Sequence, residues 1–108
     1  MNAAIQAELN KLKGLIVDTI PVDQIYLFGS HANGTPHKDS DLDLFVIIKD
    51  EVPLREIEAA IKIRLAIAEY QSMPLDLIVI KKSRYLERKT APTLERKIAR
   101  EGVMVYEA

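Results

Sequence analysis

The hydrophobic positions of this chain predict helices that alternate with short strands. Apolar residues recur at helical spacing in two long segments, and they form short continuous runs in three others. Helical spacing is typical of amphipathic helices, and short continuous runs are typical of buried strands. The predicted helices lie at 3–20, 54–70, 83–89 and 92–100, and the predicted strands lie at 25–28, 41–48, 74–80 and 103–106. This interleaving predicts an α/β (α+β) fold, with a small sheet flanked by helices.

The predicted helix over 54–70 carries a wide apolar surface. One stripe consists of Leu54, Ile57, Ile61, Leu65 and Ala68, and the stripe is widened by Ala60, Ile63 and Ile67. Such a face is most often part of a core. On so short a chain it is also consistent with an interface for a partner.

Two carboxylates open the second predicted strand. Alternate side chains of a strand point to the same face, so Asp41 and Asp43 are expected to lie side by side. At roughly 4 Å and an effective dielectric of about 20, two like charges repel by about 4 kcal/mol. A divalent cation removes that repulsion, and Mg²⁺ prefers carboxylates and phosphate oxygens as ligands. The pair therefore predicts a metal site that acts on a phosphate.

A candidate phosphate cradle precedes the acidic strand. Gly29 and Ser30 directly follow a predicted buried strand, and a helical turn over 30–33 is expected to end at Gly34. A glycine lets phosphate oxygens approach the backbone, and Ser30 adds a hydroxyl donor. Gly29 and Gly34 share the glycine spacing of a P-loop, but the Lys and Ser or Thr of that motif are missing, which excludes a P-loop ATPase. His31 is a further candidate for contact with the substrate.

A third carboxylate, Asp76, interrupts the apolar run of the strand at 74–80. Beside an Asp-x-Asp pair, it is a candidate third metal ligand. Asp41, Asp43 and Asp76 together would suit two metal ions about 3.5 to 4 Å apart, as in two-metal phosphoryl transfer. Asp76 is also the candidate to accept a proton from an attacking hydroxyl group.

Composition narrows the protein class. With 108 residues the chain is expected to form one domain over 1–108, and its formal net charge of −1 argues against bulk nucleic-acid binding. Residues 81–108 nevertheless carry eight Lys or Arg against four Glu, which suits either a solvated helix face or contact with a phosphate or an acidic partner. The absence of cysteine excludes disulfides, cysteine-based zinc sites and thiol nucleophiles. No leader or long apolar span is visible, so a cytoplasmic protein is expected.

Three short segments carry most of the candidate site: LFGSHANG at 27–34, SDLDL at 40–44 and LDL at 75–77. Together they resemble the signature of the DNA polymerase beta-like nucleotidyltransferase superfamily. Within it, the chain resembles the minimal nucleotidyltransferases that act as antitoxins of HEPN-domain toxins. The resemblance implies a mixed sheet flanked by helices. It also implies Mg²⁺, with two ions expected, held by Asp41, Asp43 and Asp76.

The same resemblance implies that the triphosphate of the nucleotide, ATP, is bound by Gly29 and Ser30, and His31 and Ser40 are further candidates for nucleotide binding. It further implies transfer of AMP with loss of pyrophosphate, and a HEPN-domain protein as the acceptor, through a tyrosine. Many relatives carry arginine where His31 and Asn33 stand, so fixed positive charge at the phosphates is reduced here.

Two other interpretations stay open at this point. The domain could neutralise a toxin by contact alone, with a nucleotide site that does not catalyse. It could also modify a small molecule, although such enzymes generally add a second domain for the acceptor. Neither membrane binding nor direct nucleic-acid binding is expected.

Overall fold

The computed structural model describes residues 3–34 and 41–108. All predicted helices and strands are present in it. In chain order the elements are α1 (Ala3–Thr19), β1 (Val22–Phe28), α2 (Ser30–Asn33), β2 (Leu42–Ile48), α3 (Glu56–Ile67), β3 (Leu75–Lys81), α4 (Lys82–Arg88), α5 (Leu94–Glu101) and β4 (Val103–Glu107). None of the described helices is long and apolar enough to cross a membrane.

The bounds of the elements differ from the sequence expectation by a few residues. The strand expected from Ile25 begins at Val22, and the helix expected over 54–70 begins only at Glu56. Local capping explains the later start of α3, because the Arg55 backbone N–H donates to Glu58 Oε1 at 2.8 Å. A carboxylate that accepts from the backbone N–H three residues before it in this way fixes the first residue of a helix.

The four strands form one mixed sheet in the order β3-β2-β1-β4. β1 pairs antiparallel with β2 and β4, whereas β2 and β3 run parallel. A parallel pair requires a crossover connection, and α3 supplies it. The predicted mixed sheet flanked by helices is therefore confirmed.

The two faces of the sheet have different partners. Leu42, Leu44, Val46 and Ile48 of β2 belong to the main core, which also includes buried residues of α1 and α3. Phe45 and Ile47 point to the other face and pack with Tyr85 of α4 and Ile98 of α5. Asp43 shares this second face, because its position alternates with Leu42 and Leu44.

The wide apolar surface of α3 is divided between the core and solvent. Its buried residues are Ala59, Ile63 and Ile67, which form the stripe facing the sheet. Ile57, Ile61 and Leu65 point away from the core and are among the exposed large hydrophobic residues. Both stripes are apolar at helical spacing, so the pattern alone does not distinguish the inner face from the outer one.

This orientation predicts that truncating Ile63 and truncating Ile61 will change stability by different amounts. Ile63→Ala should lower the free energy of unfolding by about 2 to 5 kcal/mol, because Ile63 is fully buried and its truncation leaves a cavity. Ile61→Ala should change it by less than about 1 kcal/mol, since Ile61 is half exposed. Urea denaturation of both variants in dilute solution measures the difference. Equal losses of stability would contradict this rotation of α3 about its axis.

Candidate active site

Two carboxyl groups meet at one end of the sheet. In the parallel pairing of β2 and β3, Asp43 lies opposite Asp76, and neighbouring strands are about 4.8 Å apart. The two side chains lie close enough to form a hydrogen bond when one of them is protonated. Asp76 is exposed and Asp43 is half-buried, so the pair opens to solvent on the face of the sheet that α4 and α5 cover further along.

The pKa of Asp43 is raised to about 6. Burial is the largest cause, followed by the hydrogen bond with Asp76 and the negative charges of Asp76 and Asp41, while His31 acts in the opposite direction. Two close carboxyl groups cannot both ionise without a penalty. A perturbed carboxyl group beside like charges is a physical signature of a functional site.

Asp41 lies outside the strand that carries Asp43. It lies immediately before β2, which begins at Leu42, and it acts on Asp43 through charge. Among residues 3–34 and 41–108, no group of three or more His, Asp or Glu side chains is arranged to hold a metal ion. The structure thus brings Asp43 and Asp76 into contact, and Asp41 stands beside them.

Gly29 packs directly against the Asp43 carboxylate. Its φ of 75° and ψ of −156° lie in a region that only glycine adopts readily. A Cβ atom at this position would overlap Asp43 Oδ2. Any other residue would therefore strain the turn and displace the carboxylate, so the glycine of the predicted phosphate cradle and the acidic strand form one unit.

The expected helical turn after Gly29 is confirmed. The backbone N–H groups of Ala32 and Asn33 donate to Gly29 O at 3.1 and 3.0 Å, and the turn closes at Gly34, whose φ of 74° is left-handed. His31 is buried, with 7% of its surface exposed, and lies close enough to Asp43 to influence its charge. Ser30 is half-buried. Ser40 lies outside the described residues.

A cavity of about 190 Å³ adjoins the glycine turn. Phe28, Gly29 and Asn33 form one side, and α5 closes the other with Leu94, Lys97, Ile98 and Glu101. Phe28 lies opposite Asp43 in the β1–β2 pairing, and directly opposed residues of an antiparallel pair share a face. The cavity is therefore one strand away from the carboxyl pair, on the same face.

Sequence reasoning missed the α5 side of this cavity. A detectable signal exists, since Leu94 and Ile98 are apolar residues one turn apart on an otherwise highly charged helix. Their approach to Phe28 depends on how α5 packs on the sheet, which local periodicity does not determine.

Arg64 ties α3 to the strand that carries Asp76. Its Nη1 atom donates to the backbone oxygen of Leu75 at 3.3 Å, one residue before the carboxylate. This contact anchors the first residue of β3 and so helps to fix the position of Asp76.

Part of the basic segment 81–108 has a structural role. Lys82, Arg84 and Arg88 form ion pairs with Asp23, Glu56 and Glu95, respectively. These contacts join α4 to β1, α3 and α5. They give this part of the segment a structural role, whereas Lys97 faces the cavity.

The raised pKa of Asp43 predicts how pH affects stability. Protonation favours the folded state, because the folded pKa of about 6 exceeds the ordinary value of 3.8. Stability should therefore fall as the pH rises from about 4 to about 6. Asp43→Asn removes this penalty, so without divalent cations the variant should be more stable than the natural chain at neutral pH, with no advantage below about pH 4. Urea midpoints at both pH values measure the effect.

Asp50→Asn serves as the control with the opposite sign. The Ser83 backbone N–H donates to Asp50 and lowers the pKa of that carboxyl group. Asp50→Asn should therefore lose stability at neutral pH. A loss of stability at neutral pH for Asp43→Asn as well would contradict the repulsive contact.

Comparison with known proteins identifies the family of this chain. The family "Polymerase beta, Nucleotidyltransferase" matches residues 10–108. Protein adenylyltransferase MntA of Shewanella oneidensis is 48% identical over 46 residues, which are 42% of this chain and 33% of that protein. The matching segment thus spans a third of the length of this curated relative.

Two solved structures share the fold. One is a crystal structure of a toxin-antitoxin with AMP-PNP, with a TM-score of 0.64, 26% identity, and coverage of 92% of this chain and 73% of that one. The other is a mutant of the toxin-antitoxin MntA-HpeT, with a TM-score of 0.63, 26% identity and the same coverage. With a family match over nearly its whole length, the chain belongs to the polymerase beta nucleotidyltransferase family.

Proposed function

We propose that this protein is a Mg²⁺-dependent adenylyltransferase that transfers AMP from ATP to a hydroxyl group of a toxin, a tyrosine of a HEPN-domain partner. The observation that carries this proposal is the contact of Asp43 with Asp76 beside Gly29, whose backbone conformation excludes other residues. It brings the two carboxyl groups and the Gly29 backbone, which a phosphate can approach, to one end of the sheet. The names of the relatives, an adenylyltransferase and toxin-antitoxin structures, support the choice of nucleotide and acceptor.

The carboxylates fit a hard divalent cation. Asp43 and Asp76 supply oxygen ligands at a point where negative charge is unfavourable, and Asp41, whose charge acts on Asp43, is the third candidate ligand. Held by these carboxylates, Mg²⁺ would neutralise charge on the phosphates and polarise the reacting oxygens. The MntA-HpeT mutant carries two aspartate-to-glutamate substitutions two positions apart, the same spacing as that of Asp41 and Asp43.

The proposed transfer is a single displacement. The acceptor hydroxyl oxygen forms a bond to the α-phosphorus of ATP, the bond from that phosphorus to the β-phosphate bridging oxygen breaks, and pyrophosphate leaves. The hydroxyl proton passes to the exposed Asp76 carboxylate. Asp43 is held against Gly29, where its carboxylate would hold Mg²⁺ beside the reacting phosphate group. Because ATP is an intracellular nucleotide, the reaction belongs in the cytoplasm.

The cavity beside Gly29 is assigned to the nucleotide. Its apolar walls, Phe28 and Leu94, suit a nucleobase, and its position one strand from Asp43 is within reach of a nucleotide whose α-phosphate lies at the carboxylates. Lys97 lines the same cavity near Gly29. We assign to it the positive charge that relatives carry at the positions of His31 and Asn33.

Transfer to a partner is tested by intact-mass measurement. A cognate HEPN-type toxin incubated with this protein, ATP and Mg²⁺ should gain one or more AMP units on a tyrosine. Asp43→Ala should abolish the gain while leaving physical association intact, because it removes an oxygen ligand rather than a contact surface. The fold of the variant is checked by its melting transition.

The contact-only interpretation predicts another pattern. It expects the natural chain to neutralise the toxin without nucleotide, and the Asp43→Ala variant to neutralise it equally well. That pair of results would overturn the adenylyltransferase proposal.

The assignment of the cavity is tested by comparing ATP with inorganic triphosphate. Lys97→Gln should weaken the binding of ATP and of triphosphate by roughly 10-fold each, the size of a lost charge-assisted hydrogen bond. Leu94→Asn should weaken the binding of ATP by about 5-fold and leave the binding of triphosphate unchanged, since it removes apolar contact from the base alone. Arg100→Gln, on the same helix but outside this cavity, is the matched control. Calorimetric titration gives each Kd, and an ATP affinity insensitive to both variants would place the nucleotide elsewhere.

A further inference from the structure

The outer side of α3 presents an apolar surface to solvent. Ile57, Ile61 and Leu65, here called the α3 stripe, are 60%, 54% and 75% exposed. They follow one another at intervals of four residues, so they form one continuous line along the helix. Aliphatic residues lined up in this way mark an interaction surface more often than isolated exposed ones do.

The α3 stripe and the carboxyl pair lie on opposite sides of the sheet. The inner face of α3 packs in the core cluster that contains Leu42 and Leu44, whereas Asp43 points to the opposite face of the sheet. A molecule bound to the α3 stripe therefore leaves the carboxyl pair open. The stripe is thus poorly placed to deliver an acceptor hydroxyl group to the site.

The charges beside the α3 stripe are self-complementary. Ile61 is the midpoint of the stripe, and Glu58 and Lys62 both flank it on one side, one helical turn apart. If a second α3 packs antiparallel about a two-fold axis level with Ala60, which is two residues from each charge, Glu58 faces Lys62 of the second copy, and Lys62 faces Glu58 of that copy. On the other flank, Arg64 is turned toward the Leu75 carbonyl of its own chain.

We propose that the α3 stripe is the contact between two copies of this chain, packed antiparallel about a two-fold axis level with Ala60. An isologous two-fold contact requires that one surface complement itself, and the α3 stripe with Glu58 and Lys62 does so in both apolar contact and charge. The 12-residue helix is about 18 Å long, shorter than a standard interface needs. The dimer is therefore weak, with a Kd in the micromolar range or above.

Sedimentation equilibrium over a range of protein concentrations tests the proposal. The natural chain should show a monomer-dimer equilibrium, and Leu65→Lys should weaken it at least 10-fold, a change of about 1.4 kcal/mol. Leu86→Lys is the matched control, because Leu86 is an exposed leucine on α4, outside the proposed contact. A natural chain that stays monomeric at the highest concentrations, or equal weakening by both variants, would overturn the proposal.

A charge exchange tests the antiparallel geometry separately. Lys62→Glu sets glutamates against glutamates across the two-fold axis, and Glu58→Lys sets lysines against lysines, so each variant alone should dimerise less. Mixed together, the two variants restore both opposite-charge pairs and should form a heterodimer as tight as the natural dimer. The melting transition of each variant is compared first, because Glu58 also caps α3.

Failure of the mixture to associate would contradict the antiparallel arrangement. If the natural chain is monomeric and Leu65→Lys instead weakens binding to a cognate toxin, the α3 stripe belongs to the toxin and the self-association proposal is overturned. Neither result affects the adenylyltransferase proposal, whose test is transfer of AMP.

Discussion

The unfavourable contact between Asp43 and Asp76 is the constraint on which the site depends. Parallel pairing of β2 and β3 sets the two residues opposite each other, and Gly29 closes on Asp43 with a backbone conformation that excludes a side chain. The protein thus holds negative charge where burial and neighbouring carboxylates oppose it. The rest of the fold maintains this arrangement: α3 makes the crossover that brings β3 beside β2, and Arg64 anchors the first residue of β3.

The sheet separates two kinds of surface. One face carries the carboxyl pair, the glycine turn and the cavity under α5, and the other packs on α1 and α3 to form the main core. Because α3 is apolar on both sides, its inner residues stabilise this core while its outer residues remain available for association. A dimer through α3 and a partner at the carboxylates could therefore be bound at the same time.

The sequence predicted the local features well. Strand periodicity placed Asp43 on a face away from Leu42 and Leu44, and the glycine spacing predicted the turn that closes at Gly34. It did not predict which stripe of α3 is buried, because Ile61 and Ile63 are equally apolar and only the packing of α3 against the sheet selects between them. The contact of Gly29 with Asp43 and the approach of Lys97 to the glycine turn depend on register and on pairing between distant segments, so they required the structure.

The most direct measurement of the central claim is the melting temperature of the natural chain with Mg²⁺, with a nonhydrolysable ATP analogue, and with both. If the carboxyl pair and the glycine turn form a joint metal-nucleotide site, the two ligands together should raise the melting temperature by more than the sum of their separate effects, since each completes the binding site of the other. Asp43→Asn should remove this excess. No shift with both ligands at millimolar concentration would contradict the account.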